Sequence, residues 1–371
     1  MAAEPVPSLP REEYTVGWIC AIPIETAAAR NMLDVRHTQL QSQPIADENN
    51  YTLGSLHDHH IVIASLEEYG TVKATAAVTT MRSTFPRLRF VLMVGVGGGI
   101  PSAKHDIRLG DIVVSYPISQ QPGVIQYDRG KAEEGGFRRV GTLNKPPRLL
   151  LTALSTLRSF IDLPKQVSDI LTHAFPTGEN KWLYPGVDKD VLFEAEFSHT
   201  KEKFTCDECK TVPSITVDRK HRETTDPQVH YGTIACGNSV IKTAKFRDAL
   251  RNREDQADLL CFEMESAGLM DIFPSLAIRG ICDYSDPQKN KHWQPYAAAV
   301  AAAFAKRLLF EVSKLEPIQA ANSSAGVQHS SQGSPRTSGS ESGMINHFNG
   351  TVNAKNSFQG SNLNGGQYTF S

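Results

Sequence analysis

The sequence predicts an α/β fold: a central, largely parallel or mixed sheet with helices on both faces. Two observations predict it. Short apolar runs rich in β-branched residues alternate with stretches of helix formers from residue 15 to residue 315. The composition then changes after Pro317, where apolar residues thin out and Ser and Gly take over, so a disordered tail is expected beyond the body.

The elements follow in order. Residues 15–21 (TVGWICA) are a β-rich run, followed by Pro23 and helix formers from 25 to 33, which gives strand, tight turn, helix. Residues 51–56 and 61–66 predict a hairpin, and 73–85 a helix. An apolar strand at 90–96 runs into Gly97, Gly98 and Gly99, and 111–116 (DIVVSY) is another strand. Residues 120–144 are Gly-rich and charged, which places them in loops and edge structure. Helices are expected at 148–160 and 165–175. Residues 181–226 are polar and irregular and predict a surface excursion. The rest alternates: strand 229–235, helix 239–252, strand 259–262, helix 266–272, strand 276–282 and a closing Ala-rich helix at 296–315.

Composition narrows the function classes. The formal net charge is −2 over 371 residues, so no global pull toward nucleic acid or a membrane surface is expected. No run of about 18 apolar residues predicts a membrane span, and the first residues (MAAEPVPSLPREEY) lack a charged-then-apolar signal. Four of the six cysteines (20, 236, 261 and 282) lie in apolar runs, which suits reduced, buried thiols and a cytoplasmic location. Cys206-x-x-Cys209 invites a zinc site, but no second pair lies nearby and His199 and His221 are poorly spaced, so no metal is expected.

The chain therefore divides into a flexible start (1–13), a catalytic-type body (14–317), a Ser/Gly-rich linker (318–342) and an Asn/Gly-rich segment (343–371). The last segment has no acidic residue and repeats FNGT (348–351) as FQGS (358–361). Its aromatic-amide-Gly units resemble fungal amyloid signalling motifs, which stack as short β-arcs. The plainer alternative is a disordered tail.

In open α/β sheets ligands bind beyond the carboxyl ends of strands. Glu25, the Gly95–Gly99 run, Glu263, Glu265 and Asp283 all fall at such ends. The strand-helix-strand unit at 259–283 brings its two acidic ends to one rim. Six segments in this order carry a family resemblance: AIPIE (21–25), VGVGGG (94–99), LGDIVVS (109–115), CGNSVIK (236–242), FEMES (262–266) and IRGICDYSD (278–286). Residues 14–315 resemble the purine nucleoside phosphorylase and nucleosidase superfamily, which includes methylthioadenosine/S-adenosylhomocysteine nucleosidase and AMP nucleosidase. The WICAIPIE opening, the 125–131 loop and the HYG-x-IA-x-GN segment at 230–238 are most similar to the phosphorylase-like domain at the head of fungal NLR-like immune proteins.

The resemblance implies a three-layer nucleoside phosphorylase/hydrolase-like fold and cleavage of a purine from ribose without cofactor or metal. Such cleavage needs a site that tolerates a cationic sugar and an acid that protonates the departing base. By resemblance Asp283 is that acid, directed at N7, and burial is expected to keep it protonated. Aspartate there suits a 6-amino base, hence adenine. Glu25 activates water; Glu265 accepts from the ribose hydroxyls; Met264 packs on the sugar. Val240 lines the base pocket, with Glu263, Phe262, Asn238, Val96, Gly97 and Gly98 as further substrate contacts. The positions where bacterial-type phosphorylases hold phosphate are Met93 and Val96, which cannot bind an anion, so water is favoured as nucleophile. A phosphate-dependent phosphorylase and a catalytically inactive nucleoside-binding scaffold are the alternatives.

Plainer readings stand beside these. Glu25 suits the first turn of a helix; Asp283 suits a turn; Glu263 suits a salt bridge; His230 suits a structural role. Arg129, Lys131, Arg138 and Arg139 form either a solvated loop or a cationic rim for the phosphates of a nucleotide such as ATP or AMP, with Arg219 and Arg222 in second line. The expected partners are a purine nucleoside or nucleotide, further copies of the chain, and an NLR-like protein with a matching amyloid motif that would trigger an immune or cell-death response. Neither membrane nor nucleic acid is expected.

Overall fold

Apolar runs with no polar alternation are the mark of strands covered on both faces, and β1 (Val16–Cys20) shows why. Its Val16, Trp18 and Cys20 enter one core, while Ile19 enters another on the opposite face. A computed structural model describes residues 6–176, 180–197, 215–253, 258–289 and 291–314. The expected linker (318–342), the Asn/Gly-rich segment (343–371) and Cys206-x-x-Cys209 lie outside the described residues.

After β1 come α1 (Pro23–Met32), β2 (Val35–Arg36), β3 (Tyr51–Leu56), β4 (His59–Ser65), α2 (Thr71–Thr84), β5 (Phe90–Gly99) and β6 (Ile112–Ser115). The Gly-rich stretch expected as loops and edge structure holds β7 (Val124–Gln126) and a two-stranded hairpin of β8 (Gly130–Glu133) and β9 (Gly136–Arg139). Then follow α3 (Arg148–Leu157), α4 (Leu163–Ala174), β10 (Val229–Cys236), α5 (Ala244–Arg251), β11 (Leu259–Glu263), α6 (Ala267–Met270), β12 (Ser275–Asp283) and α7 (Gln294–Phe310). The expected helix at 239–252 starts late, at Ala244, after a non-helical Gly237–Thr243 stretch.

The main sheet is ten-stranded, in the order β11-β10-β6-β12-β5-β1-β4-β3-β2, with β7 beside β10. Pairing is mixed: β5 runs parallel to β1 and β12, and β12 antiparallel to β6. The carboxyl end of β5 also pairs with β11, Phe262 opposite Gly98 and Cys261 opposite Gly99, so β5, β12, β6, β10 and β11 close into a ring. Glycine makes this double pairing feasible: a Cβ on Gly97 would stand 3.0 Å from the Phe262 carbonyl oxygen, and one on Gly99 would stand 2.9 Å from Ile281 Cγ2.

Alanine-rich α7 packs along β12 and β5 with Ala297 through Ala305 buried. The approach is close enough that a Cβ on Gly280 would meet the Ala297 carbonyl carbon at 2.6 Å. On the opposite face α2 and Leu269 of α6 cover Ile19, Val91 and Met93. The expected surface excursion is partly core: Trp182, Leu192 and Phe193 are buried, and Arg222 reaches the start of β6 at Asp111, 2.6 Å away. Buried ion pairs look like solvated surface in a sequence, which is why the segment reads as an excursion.

Candidate active site

Glu25 enters at the start of α1, where Pro23 sets the first turn and Ile22 is the N-cap. Its Oε2 accepts from the backbone N–H of Ala21 at 2.7 Å and of Ile22 at 3.1 Å. Its Oε1 accepts from Val96 N–H on β5 at 2.8 Å. Glu25 therefore sits in the first turn of α1, where the plainer reading puts it, and the Val96 bond also ties it to the sheet. Burial pushes the Glu25 carboxyl up, against Arg279 and these three N–H groups. A carboxylate has about four acceptor sites; three are taken, and one remains for a further donor such as water.

Arg279 is the residue sequence reasoning missed. It lies mid-strand in β12, 1 % exposed, amid Ala277, Ile278 and Ile281. Its Nη2 donates to Glu263 and, at 3.0 Å, to Glu265 Oε2. Glu263 is further fixed by the Ser266 hydroxyl at 2.8 Å and by the backbone N–H of Glu265 and Ser266. Three buried carboxyls, Glu25, Glu263 and Glu265, thus surround one guanidinium. Despite burial, Arg279 and the Ser266 donors hold Glu263 below the usual carboxylate range. Glu265 takes the opposite direction, pushed up to about 7 by burial and by the charges of Glu263 and Glu25, against Arg279.

Asp283 ends β12, as Glu263 ends β11, and both ends meet the Gly97–Gly99 stretch. The Asp283 Oδ1 accepts from Ser285 N–H and faces the Lys289 ammonium, each at 2.9 Å; Cys282 Sγ lies 3.2 Å from Oδ2. The sequence reading did not foresee this ammonium beside the carboxyl.

β5 borders both groups at glycines. A Cβ on Gly95 would stand 2.5 Å from both Glu25 Cδ and Arg279 Nη1, and one on Gly98 would stand 2.9 Å from Asp283 Oδ1.

Residues 15–310 match the profile of the phosphorylase superfamily. The chain belongs to that superfamily. It is 52 % identical over 317 residues to an NLR-like protein of Hyaloscypha variabilis, spanning 83 % of this chain and 30 % of that much longer relative. It is 24 % identical over 300 residues to a 5'-methylthioadenosine/S-adenosylhomocysteine nucleosidase of Mycobacterium tuberculosis, covering 80 % of this chain and 95 % of the relative. An ATP nucleosidase of Escherichia coli, Cap17, matches at 25 % over 294 residues, 76 % of this chain and 48 % of its own length. Among solved structures, the Streptococcus pneumoniae methylthioadenosine/S-adenosylhomocysteine nucleosidase superposes with a TM-score of 0.50 at 16 % identity, covering 81 % of this chain and all (100 %) of that one. Nucleosidases are thus among the superfamily members this chain is similar to.

The other residues singled out in this superfamily member are placed as follows. Met264 is half-buried, and Phe262 packs edge-to-face on Tyr127, ring centroids 5.5 Å apart. Val240 is 46 % exposed, in a non-helical stretch between β10 and α5 whose Gly237 and Ile241 are buried. The Asn238 side-chain oxygen accepts from Thr71 N–H at 3.2 Å, and its own N–H donates to Asp128 at 2.8 Å, so it anchors the start of α2. Met93 is wholly buried in the core under α2, while Val96 packs on the other face.

Among the candidate phosphate contacts, Arg138 is already paired with Glu133 at 2.6 Å across the β8–β9 hairpin, and Arg139 bonds the Gly141 carbonyl. Arg129 and Lys131 are exposed at the start of that hairpin. Arg219 and Arg222 are corrected to structural roles. Arg219 bonds Asp190 at 3.1 Å and the Tyr284 hydroxyl at 2.8 Å, and Arg222 holds Asp111. His230 also binds Asp111, at 2.9 Å. Four cysteines, 20, 236, 261 and 282, are free and buried. No helix among the described residues is long and apolar enough to cross a membrane.

Proposed function

We propose that the chain hydrolyses the N-ribosyl bond of an adenine nucleoside or nucleotide, with water as nucleophile. The observation that carries this reading is the charge of the cluster around Arg279. One guanidinium meets three buried carboxyls, so the sugar end of the site has no cation to spare for a phosphate nucleophile. A negative cluster instead favours the oxocarbenium character of the departing sugar. Glu25, with one acceptor site left, takes the proton of the attacking water as its oxygen bonds to the anomeric carbon. The bond to the base breaks, its electron pair passes to the purine, and Asp283 supplies a proton at N7. Glu265, above pH 7, accepts from the ribose hydroxyls.

The relatives support the finer reading. One is named for ATP cleavage and another for methylthioadenosine cleavage, which favours an adenine base and leaves nucleoside and nucleotide as the two substrate classes. Arg129 and Lys131 are the cations proposed for a 5'-phosphate. The NLR-like name of one relative is in keeping with the proposed effector role in immunity or cell death, and the 343–371 segment is proposed, from its sequence alone, as the element that assembles it. The test is direct: incubate the protein with adenosine, AMP, ATP and methylthioadenosine, with and without phosphate, and follow free adenine by chromatography. Release without phosphate is expected, and Asp283→Asn and Glu25→Ala should each lower the rate about 10²–10⁴-fold. Strict phosphate dependence, or no purine release from any substrate, sinks the reading.

A further inference from the structure

The turn after β12 carries a cation that base cleavage as described above leaves unused. Lys289 folds back so that its ammonium lies 2.9 Å from Asp283 Oδ1, with side-chain exposures of 24 % and 5 %. The turn is tightly specified. Ser285, 1 % exposed, holds a left-handed φ of 54° and donates its N–H to the same Oδ1 at 2.9 Å. A non-glycine residue in that region costs about 1 kcal/mol, so the contacts around it select this path. The other groups facing Asp283 do not replace the ammonium. The Cys282 thiol is neutral, its titration raised by burial. Asp286 is a second carboxyl, pushed up to about 6 by burial and by Asp283. From α5, Arg247 is committed to the Tyr284 carbonyl at 2.9 Å and to Asp248. From β5, Gly98 presents no side chain, and from α1, Glu25 adds only negative charge. Among the described residues Lys289 alone makes an ion pair with Asp283.

We propose that Lys289 is a positioning residue for the cleavage, holding Asp283 in place and strengthening it as an acid toward the purine. This rests on the reading under Proposed function. When Asp283 gives its proton to N7, it becomes a carboxylate facing an ammonium at ion-pair distance. That attraction grows only as the proton leaves, so it lowers the transition state more than the ground state. Lys289 stays protonated throughout.

Lys289→Met tests this. Loss of the facing charge should lower kcat about tenfold while KM changes little. Lys289→Arg, which keeps the charge, should keep the rate, and Lys289→Gln answers the same question should the Met variant not fold. An unchanged kcat, or a loss that the Arg variant shares, overturns the proposal. Free adenine released by the wild-type protein separates this failure from failure of the hydrolase reading: a wild type that releases no purine discards hydrolysis and this role with it, whereas an active wild type beside an equally active Met variant discards Lys289 alone.

Discussion

Glu265→Gln isolates the electrostatic cost stored in the Arg279 cluster. An ordinary glutamate titrates near 4.5, whereas Glu265 is held up to about 7 by burial and by its carboxylate neighbours. The unfolded chain therefore releases this proton at a lower pH than the folded one does. The contribution to stability is intact below about 4.5 and is lost as the pH climbs through about 7. A displacement of that size amounts to about 3 kcal/mol. Glutamine keeps the shape and one acceptor oxygen but cannot ionise. Urea unfolding of wild type and variant from pH 5 to pH 8.5 should therefore show the variant gaining about 3 kcal/mol relative to wild type across the range. Activity should move the other way: wild-type cleavage rises through pH 7 as the ribose acceptor ionises, and the variant loses that rise. A stability difference that does not change with pH would refute the argument.

Two further outcomes follow from the geometry. Gly95→Ala puts a Cβ 2.5 Å from Glu25 Cδ and Arg279 Nη1, close to 1 Å inside ordinary contact; purine release should fall about 10²-fold with a loss of about 1–3 kcal/mol in urea unfolding. Asp111→Ala removes the shared partner of Arg222 and His230, and thermal unfolding should report a loss of about 3–5 kcal/mol, since it strands a half-buried guanidinium.

Much of the frame is legible because strands buried on both faces leave unbroken apolar runs. β1, β5 and β12 fall where the runs at 15–21, 90–96 and 276–282 place them. The acidic ends of β11 and β12 are legible for the same reason, since each sits where such a run stops. Arg279 escaped because the strand pattern absorbs it, although a lone charge inside LAIRGIC is a signal: a buried guanidinium must have carboxylate partners. Lys289 leaves no periodic trace, because its reach to Asp283 depends on the left-handed turn at Ser285. The helix expected from residue 239 begins only at Ala244, where Thr243 supplies the extended N-cap. The segment around Arg219 and Arg222 looks solvated in sequence because ion pairing, which decides its burial, is a property of distance and not of composition.

The doubly paired end of β5 has one more consequence. The backbone that receives Glu25 at Val96 is the same backbone that passes Asp283 at Gly98, so both carboxyls take their places from one run of strand. One residue inserted or deleted between positions 95 and 98 would shift one of these contacts against the other.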